Sequence, residues 1–144
     1  MSFISNSVYL LGLTFICVIA ASHKGYSAPI DDLLKDYHDD VKKTDPKFKG
    51  FDVDRGKSFY HTDRLTKDGK KISCAKCHTA DPRLPGQSSA GKVIQPMAPA
   101  VNPKRFTDKA KVEKWFKRNC MDVYQRACSS LEKGDFIKYL QSLK

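Results

Sequence analysis

The sequence predicts an all-α domain, and three observations carry that reading. Apolar residues recur at helical spacing in separate stretches near residues 30–42, 107–119 and 129–143. No run shows the strict alternation of a half-buried strand. Residues 79–105 are rich in Pro, Gly, Ser and Ala, which reads as one long irregular loop. Loops of that length in small domains are usually functional, and wrapping a cofactor is one such role. With 144 residues the chain suits one small domain.

The first 22 residues carry no charged side chain, and Val8 to Ala21 is an unbroken run of apolar and small residues. That run is too short for the roughly 20 residues a bilayer span needs, so residues 1–28 read as a secretory leader. Two cleavage points compete, after Ala20 and after Ala28, and an uncleaved membrane anchor is the alternative. Cys17 falls within this leader. Export places the remaining Cys74, Cys77, Cys120 and Cys128 where disulfides persist and where haem is attached to thiols. The chain has a net charge of +10, and Lys24 is the one charged residue of the leader. So basic a surface favours an acidic partner and speeds encounter with it. Nucleic acid is excluded as a partner, because no binding motif and no basic helix interleaved with stacking aromatics is present.

Along the exported part, Ile30, Leu33, Leu34, Tyr37 and Val41 form the apolar stripe of a helix over 30–42, which Thr44-Asp45-Pro46 stops. A second, short helix is expected from Asp52 to His61, with Gly56 sharing a face with Phe59 or Tyr60. Asp68-Gly69 makes a turn. After the long loop, Thr107 is the expected N-cap of a helix in which Val112, Trp115, Phe116 and Asn119 make one stripe ending on an asparagine. Ser129-Ser130-Leu131-Glu132 is a capping-box pattern opening the last helix, which is expected to bury Phe136, Tyr139, Leu140 and Leu143. So short a chain is helped by a large cofactor that completes its core.

Cys74-Ala75-Lys76-Cys77-His78 supplies that cofactor. Two thiols about one helical turn apart each add to one vinyl group of a porphyrin, and the following histidine lies beneath the iron as its proximal ligand. The pattern therefore predicts one covalently attached haem c on Cys74 and Cys77, with His78 ligating. A zinc site would need two further ligands, and Cys120, Cys128, His61 and His38 stand at no recognised zinc spacing. A dithiol redox pair would sit in a strand-helix setting, which is not predicted here.

The sixth ligand decides the function, and the residues leave it open. Met97 lies in a proline-braced loop, QPMAP, and is the soft ligand type of electron carriers. Asn119 lies on the side of Trp115 and Phe116, both expected to pack on the porphyrin. Its neighbour Cys120 could close a small ring with Cys128. His61 and His38 are the remaining candidates.

The segments SCAKCH at 73–78, GKVIQPMAPAVNPKRFTDKAKVEKWF at 91–116, RNC at 118–120 and EKGDFIKYL at 132–140 resemble, in order and spacing, the sphaeroides haem protein family and its close relative cytochrome c″. The resemblance covers about two thirds of the chain. It implies a class I cytochrome c fold with an added N-terminal helix, and a Cys120–Cys128 disulfide. It implies that Asn119 is the distal ligand, since an asparagine precedes the first disulfide cysteine in that family whereas cytochrome c″ has histidine there. Met97 stands where the family usually has leucine, which is not a ligand. A dihaem cytochrome c and a membrane cytochrome b are the electron donors it implies.

An amide oxygen is a hard, weak donor that ferric iron tolerates and softer ferrous iron holds poorly. The expected function is therefore a periplasmic redox protein that releases Asn119 on reduction and opens the iron to O2, NO or CO. The competing readings are a plain electron shuttle ligated by Met97 or Asn119 in both states, and an enzyme reducing O2, NO or a peroxide. The last ranks lowest, because no distal histidine–arginine pair is evident to help cleave an O–O bond.

Overall fold

The structure, a computed structural model, describes residues 29–144; the expected leader, its cleavage points and Cys17 lie outside the described residues. The order is α1 (Pro29–Thr44), α2 (Val53–His61), β1 (Arg64–Leu65), β2 (Lys71–Ile72), α3 (Cys74–His78), β3 (Gly86–Gln87), β4 (Val93–Ile94), α4 (Lys109–Tyr124) and α5 (Ser130–Ser142). Helices dominate, as the pattern predicts. The four strands are a correction to the expectation of none. They are two-residue ladders, β1 with β2 and β3 with β4, both antiparallel. Their side chains are mostly exposed, so they leave no alternation in the sequence to read. Gly69 and Gly91 take positive φ in the two connecting turns.

In α1, Pro29 stands where a missing N–H costs nothing; Asp31 and Asp32 in the first turn and Lys42 and Lys43 in the last oppose the helix dipole. Its apolar stripe buries Leu33 and Tyr37. Asp52 proves to be the N-cap of α2 rather than its first residue, accepting from the Arg55 N–H.

Helices α2 and α5 cross closely at Gly56, where an added Cβ would lie 2.0 Å from the Asp135 carbonyl oxygen. Asp135, only 3% exposed, locks the crossing. Its carboxylate accepts from the Asp52 N–H at 2.7 Å, from Arg55 Nε at 2.7 Å and from Arg55 Nη2 at 2.9 Å. Beside it, Tyr60, Phe136, Ile137, Tyr139 and Leu140 are buried together. Leu143 packs at the edge of this cluster, and Ile137 is the buried residue the expected stripe omitted.

Helix α4 departs from expectation at both ends. Asp108, not Thr107, is its N-cap, accepting from the Lys111 N–H, while the Thr107 hydroxyl donates to the Lys104 carbonyl. Nor does Asn119 end the helix, which runs on to Tyr124 and closes on Gln125 in the left-handed conformation. The reason is packing. Cys120 and Val123 continue the buried row of Val112 and Phe116, and burial of that row outweighs the helix-breaking tendency of an asparagine. The capping box of α5 forms as read, with Ser129 and Glu132 exchanging hydrogen bonds.

Candidate functional site

The attachment segment folds as the five-residue helix α3, so Cys74 and Cys77 are one turn apart, both free and both half-buried. Burial pushes the Cys74 thiol up to about 11, so it is a protonated thiol near neutral pH. His78 closes the helix. Burial, with a smaller contribution from the Arg105 cation, pushes its imidazole down to about 4, which keeps it neutral and able to ligate. Its Nδ1 is buried without a hydrogen-bond partner.

The chain turns sharply after His78. Thr79 has φ 66 and ψ 165, a conformation that a β-branched residue adopts only when its surroundings impose it. Tyr60 is part of what imposes it. Its hydroxyl donates to the His78 carbonyl at 3.0 Å and to the Thr79 carbonyl at 2.8 Å, and the Thr79 hydroxyl donates to the Asp81 carbonyl at 2.6 Å. On the other side of α3 lies Gly86, where a Cβ would meet the Cys77 carbonyl oxygen at 2.0 Å. The β3–β4 hairpin therefore lies directly on the attachment helix only because residue 86 has no side chain.

The long loop is tied to itself by backbone. The Pro82 carbonyl accepts from the N–H groups of Met97 and Ala98 at 2.8 and 3.1 Å. Asn102 Nδ2 and Arg105 Nε donate to the Pro96 carbonyl at 3.0 and 2.8 Å, and Arg105 Nη2 donates to the Gln95 carbonyl. Arg105 thus braces the segment bearing Met97, which is 9% exposed within the core cluster. Neither Tyr60 nor Arg105 was singled out by the sequence for this site. Each acts through backbone carbonyls of residues distant in the chain, and such contacts leave no trace in periodicity or motif spacing.

Asn119 is half-buried on α4, and its amide makes no hydrogen bond among the described residues. The next residue, Cys120, is bonded to Cys128 with 5.7 Å between the Cα atoms. The face expected to be common to Trp115, Phe116 and Asn119 divides. Phe116 packs edge-on between the Tyr37 and Phe136 rings and belongs to the helix core. Trp115 is 43% exposed, with the Arg118 guanidinium 5.7 Å above its ring. Two of the four candidate ligands are engaged elsewhere: His61 Nε2 lies 3.2 Å from the Tyr139 hydroxyl, and His38 faces Asp39 and the Phe48 ring. Among the described residues no three His, Cys, Asp or Glu side chains gather as a metal site, so the zinc alternative lacks its remaining ligands.

Residues 46–140 match the family described as a domain of unknown function, DUF1924. Cytochrome c″ of Methylophilus methylotrophus is 39% identical over 109 residues, 75% of this chain and 76% of that protein. The crystal structure of its oxidised form superposes with a TM-score of 0.74 at 37% identity, covering 79% of this chain and 94% of that one. The cytochrome c-type protein SHP of Cereibacter sphaeroides is 42% identical over 89 residues, 62% of this chain and 69% of that protein. The structure of oxidised SHP, described as an oxygen-binding cytochrome c, gives a TM-score of 0.69 at 35% identity, covering 78% of this chain and 96% of that one.

The chain belongs to the family of cytochrome c″ and the sphaeroides haem protein. Its cofactor is accordingly one covalently attached haem c. The residues present fit that group. Two unpaired thiols stand one turn apart on α3, a neutral imidazole with no competing hydrogen bond follows them, and Arg105 is a half-buried cation with no carboxylate beside it among the described residues. The helix-rich fold agrees with that of the family, α1 standing as the added N-terminal helix of the cytochrome.

Proposed function

We propose that this family member is a periplasmic electron-transfer protein in which Asn119 is a redox-operated distal ligand. Cys74 and Cys77 hold the haem, His78 is its proximal ligand, and Arg105 has the charge and the donors to receive a propionate. The haem supplies a one-electron redox centre whose reduced form binds O2, NO or CO when a coordination position is open. Asn119 would give its amide oxygen to ferric iron and release it on reduction, because a hard neutral oxygen is a poor match for the softer ferrous ion. Cys120, fixed to Cys128, limits how far the backbone of Asn119 travels, so the amide returns on oxidation.

One observation carries this reading: a polar amide without a hydrogen-bond partner sits next to a disulfide-pinned position on a packed helix. The amide is not sealed into the core, so beside a rigid anchor it is free to serve as a ligand. Export by residues 1–28, with membrane anchoring as the alternative, and electron supply through an acidic partner are parts of the same proposal. A dihaem cytochrome c and a membrane cytochrome b are the donors it names. Among the described residues no helix is long and apolar enough to cross a membrane.

The test is an absorption and resonance Raman spectrum of the purified protein, oxidised and then reduced, before and after adding CO. A six-coordinate oxidised form and a five-coordinate reduced form that binds CO at once are the expected result. A reduced form that stays six-coordinate and ignores CO identifies a plain electron carrier instead.

A further inference from the structure

Against the backbone of His78 and Thr79 ends a line of aromatic side chains to which the reading above gives no task. Tyr60 is fully buried and its hydroxyl ends on the His78 and Thr79 carbonyls. The Tyr139 ring lies 5.8 Å from the Tyr60 ring, and the Tyr139 hydroxyl faces His61 Nε2 at 3.2 Å. His61 is half-exposed at the end of α2, its ring 4.9 Å from Tyr60 and 6.1 Å from Tyr139. The line therefore runs without a gap from the peptide of the proximal histidine to a surface imidazole.

The two tyrosines differ in the way that matters for redox chemistry. A phenol gives up an electron readily only if its proton has somewhere to go. Tyr60 donates to two carbonyl oxygens, which do not accept a proton, so it stays a phenol. Tyr139 faces a nitrogen base, and in the His61 tautomer protonated on Nδ1 that nitrogen receives the proton.

We propose that Tyr139 and His61 form a proton-coupled electron donor to the haem, with the Tyr60 ring as the bridge. This rests on the reading of an iron that opens on reduction, since the oxidant must reach it. The oxidant is hydrogen peroxide, whose O–O bond would break slowly here, since no distal histidine–arginine pair is evident to assist it. Two electrons and two solvent protons convert hydrogen peroxide to two waters as its O–O bond breaks. A bound ferrous haem would supply one of those electrons. Tyr139 supplies the other, its hydroxyl proton passing to His61 Nε2, which leaves a neutral tyrosyl radical beside an imidazolium. Tyr139 would thus spare the porphyrin and its ligands from the second oxidising equivalent; the redox partner that supplies the protein's electrons then returns one to the radical at the surface by His61, and the imidazolium gives the proton back to the Tyr139 oxygen.

The experiment mixes the reduced holoprotein with hydrogen peroxide, freezes it within the reaction, and records absorption and electron paramagnetic resonance spectra. A tyrosyl radical is expected in the parent protein, retained in Tyr60→Phe, which keeps the bridging ring, and lost in Tyr139→Phe. His61→Gln, a change at a half-exposed residue that keeps a polar partner but no base, is expected to slow radical formation by roughly a hundredfold. A structural role for His61 would leave that rate unchanged. Haem oxidation by peroxide with a radical that survives Tyr139→Phe, or forms equally fast in His61→Gln, overturns this proposal alone. A reduced haem whose spectrum does not respond to peroxide or to CO overturns both this and the opening of the iron.

Discussion

Arg55 grips Asp135 across the α2–α5 contact with two nitrogens, Nε at 2.7 Å and Nη2 at 2.9 Å. The pair is lopsided, since the carboxylate is buried while the Arg55 side chain is about half exposed. The buried partner therefore controls the energetics. Removing Asp135 frees three donors at the start of α2, whereas shortening Arg55 leaves a carboxylate that still holds the Asp52 N–H. We expect Asp135→Ala to cost about 3 kcal/mol and Arg55→Lys about 1 kcal/mol. Urea unfolding checks this, the midpoint falling with little change in slope. Because α2 bears Tyr60, the Asp135 variant is also expected to loosen the turn after His78.

Glu113 on α4 accepts from Lys133 Nζ at 2.7 Å and from the Tyr37 hydroxyl, tying α1, α4 and α5 together. Burial by itself would raise its carboxyl, but the Lys133 and Tyr37 hydrogen bonds outweigh it and hold the group below its ordinary 4.5. A depressed folded-state value means that the unfolded chain takes up the proton first as pH falls. The stability Glu113 contributes is thus complete above about pH 4.5 and is lost as pH drops through the lowered folded value. Glu113→Gln is expected to be less stable at neutral pH and to lose less on acidification. Thermal melting from pH 7 to pH 3 measures both.

The Cys120–Cys128 bond closes a ring over a sequence separation of 8. Loop-closure entropy for so small a ring gives about 2.5 kcal/mol, and Cys128→Ala should lose about that much in chemical unfolding. Both sulfurs belong to buried residues, so the folded protein is expected to keep the bond in a thiol reductant that cleaves it after unfolding.

Asn119 and Met97 give opposite spectral expectations. Asn119→Ala should turn the oxidised protein high-spin and leave CO binding by the reduced form within a factor of about three, because in the proposed gate the ligand leaves on reduction. Met97→Leu should leave both redox spectra unchanged and cost under about 1.5 kcal/mol, as volume-conserving core exchanges do. A spectral change in the Met97 variant would remove the asparagine gate as stated.

Local chemistry determined what the sequence disclosed by itself. The CAKCH spacing, the amphipathic stripe of α1, the capping box at Ser129 and Glu132, and the turn at Asp68-Gly69 each depend on residues within a few positions of one another, so they could be read in order along the chain. The segments shared with the cytochrome c″ and sphaeroides haem protein family lay equally open in the sequence. Tertiary structure alone decided that α4 runs through Asn119, because the burial of Cys120 and Val123 against distant helices outweighs a local stop signal. It alone separated Phe116 from Trp115, placed Gly86 against Cys77, and set Tyr60 beneath the carbonyls of His78 and Thr79. Each of these joins residues through backbone atoms or close approaches across many positions of sequence. Backbone atoms are the same in every residue, so a contact made through them exists only once the chain is folded.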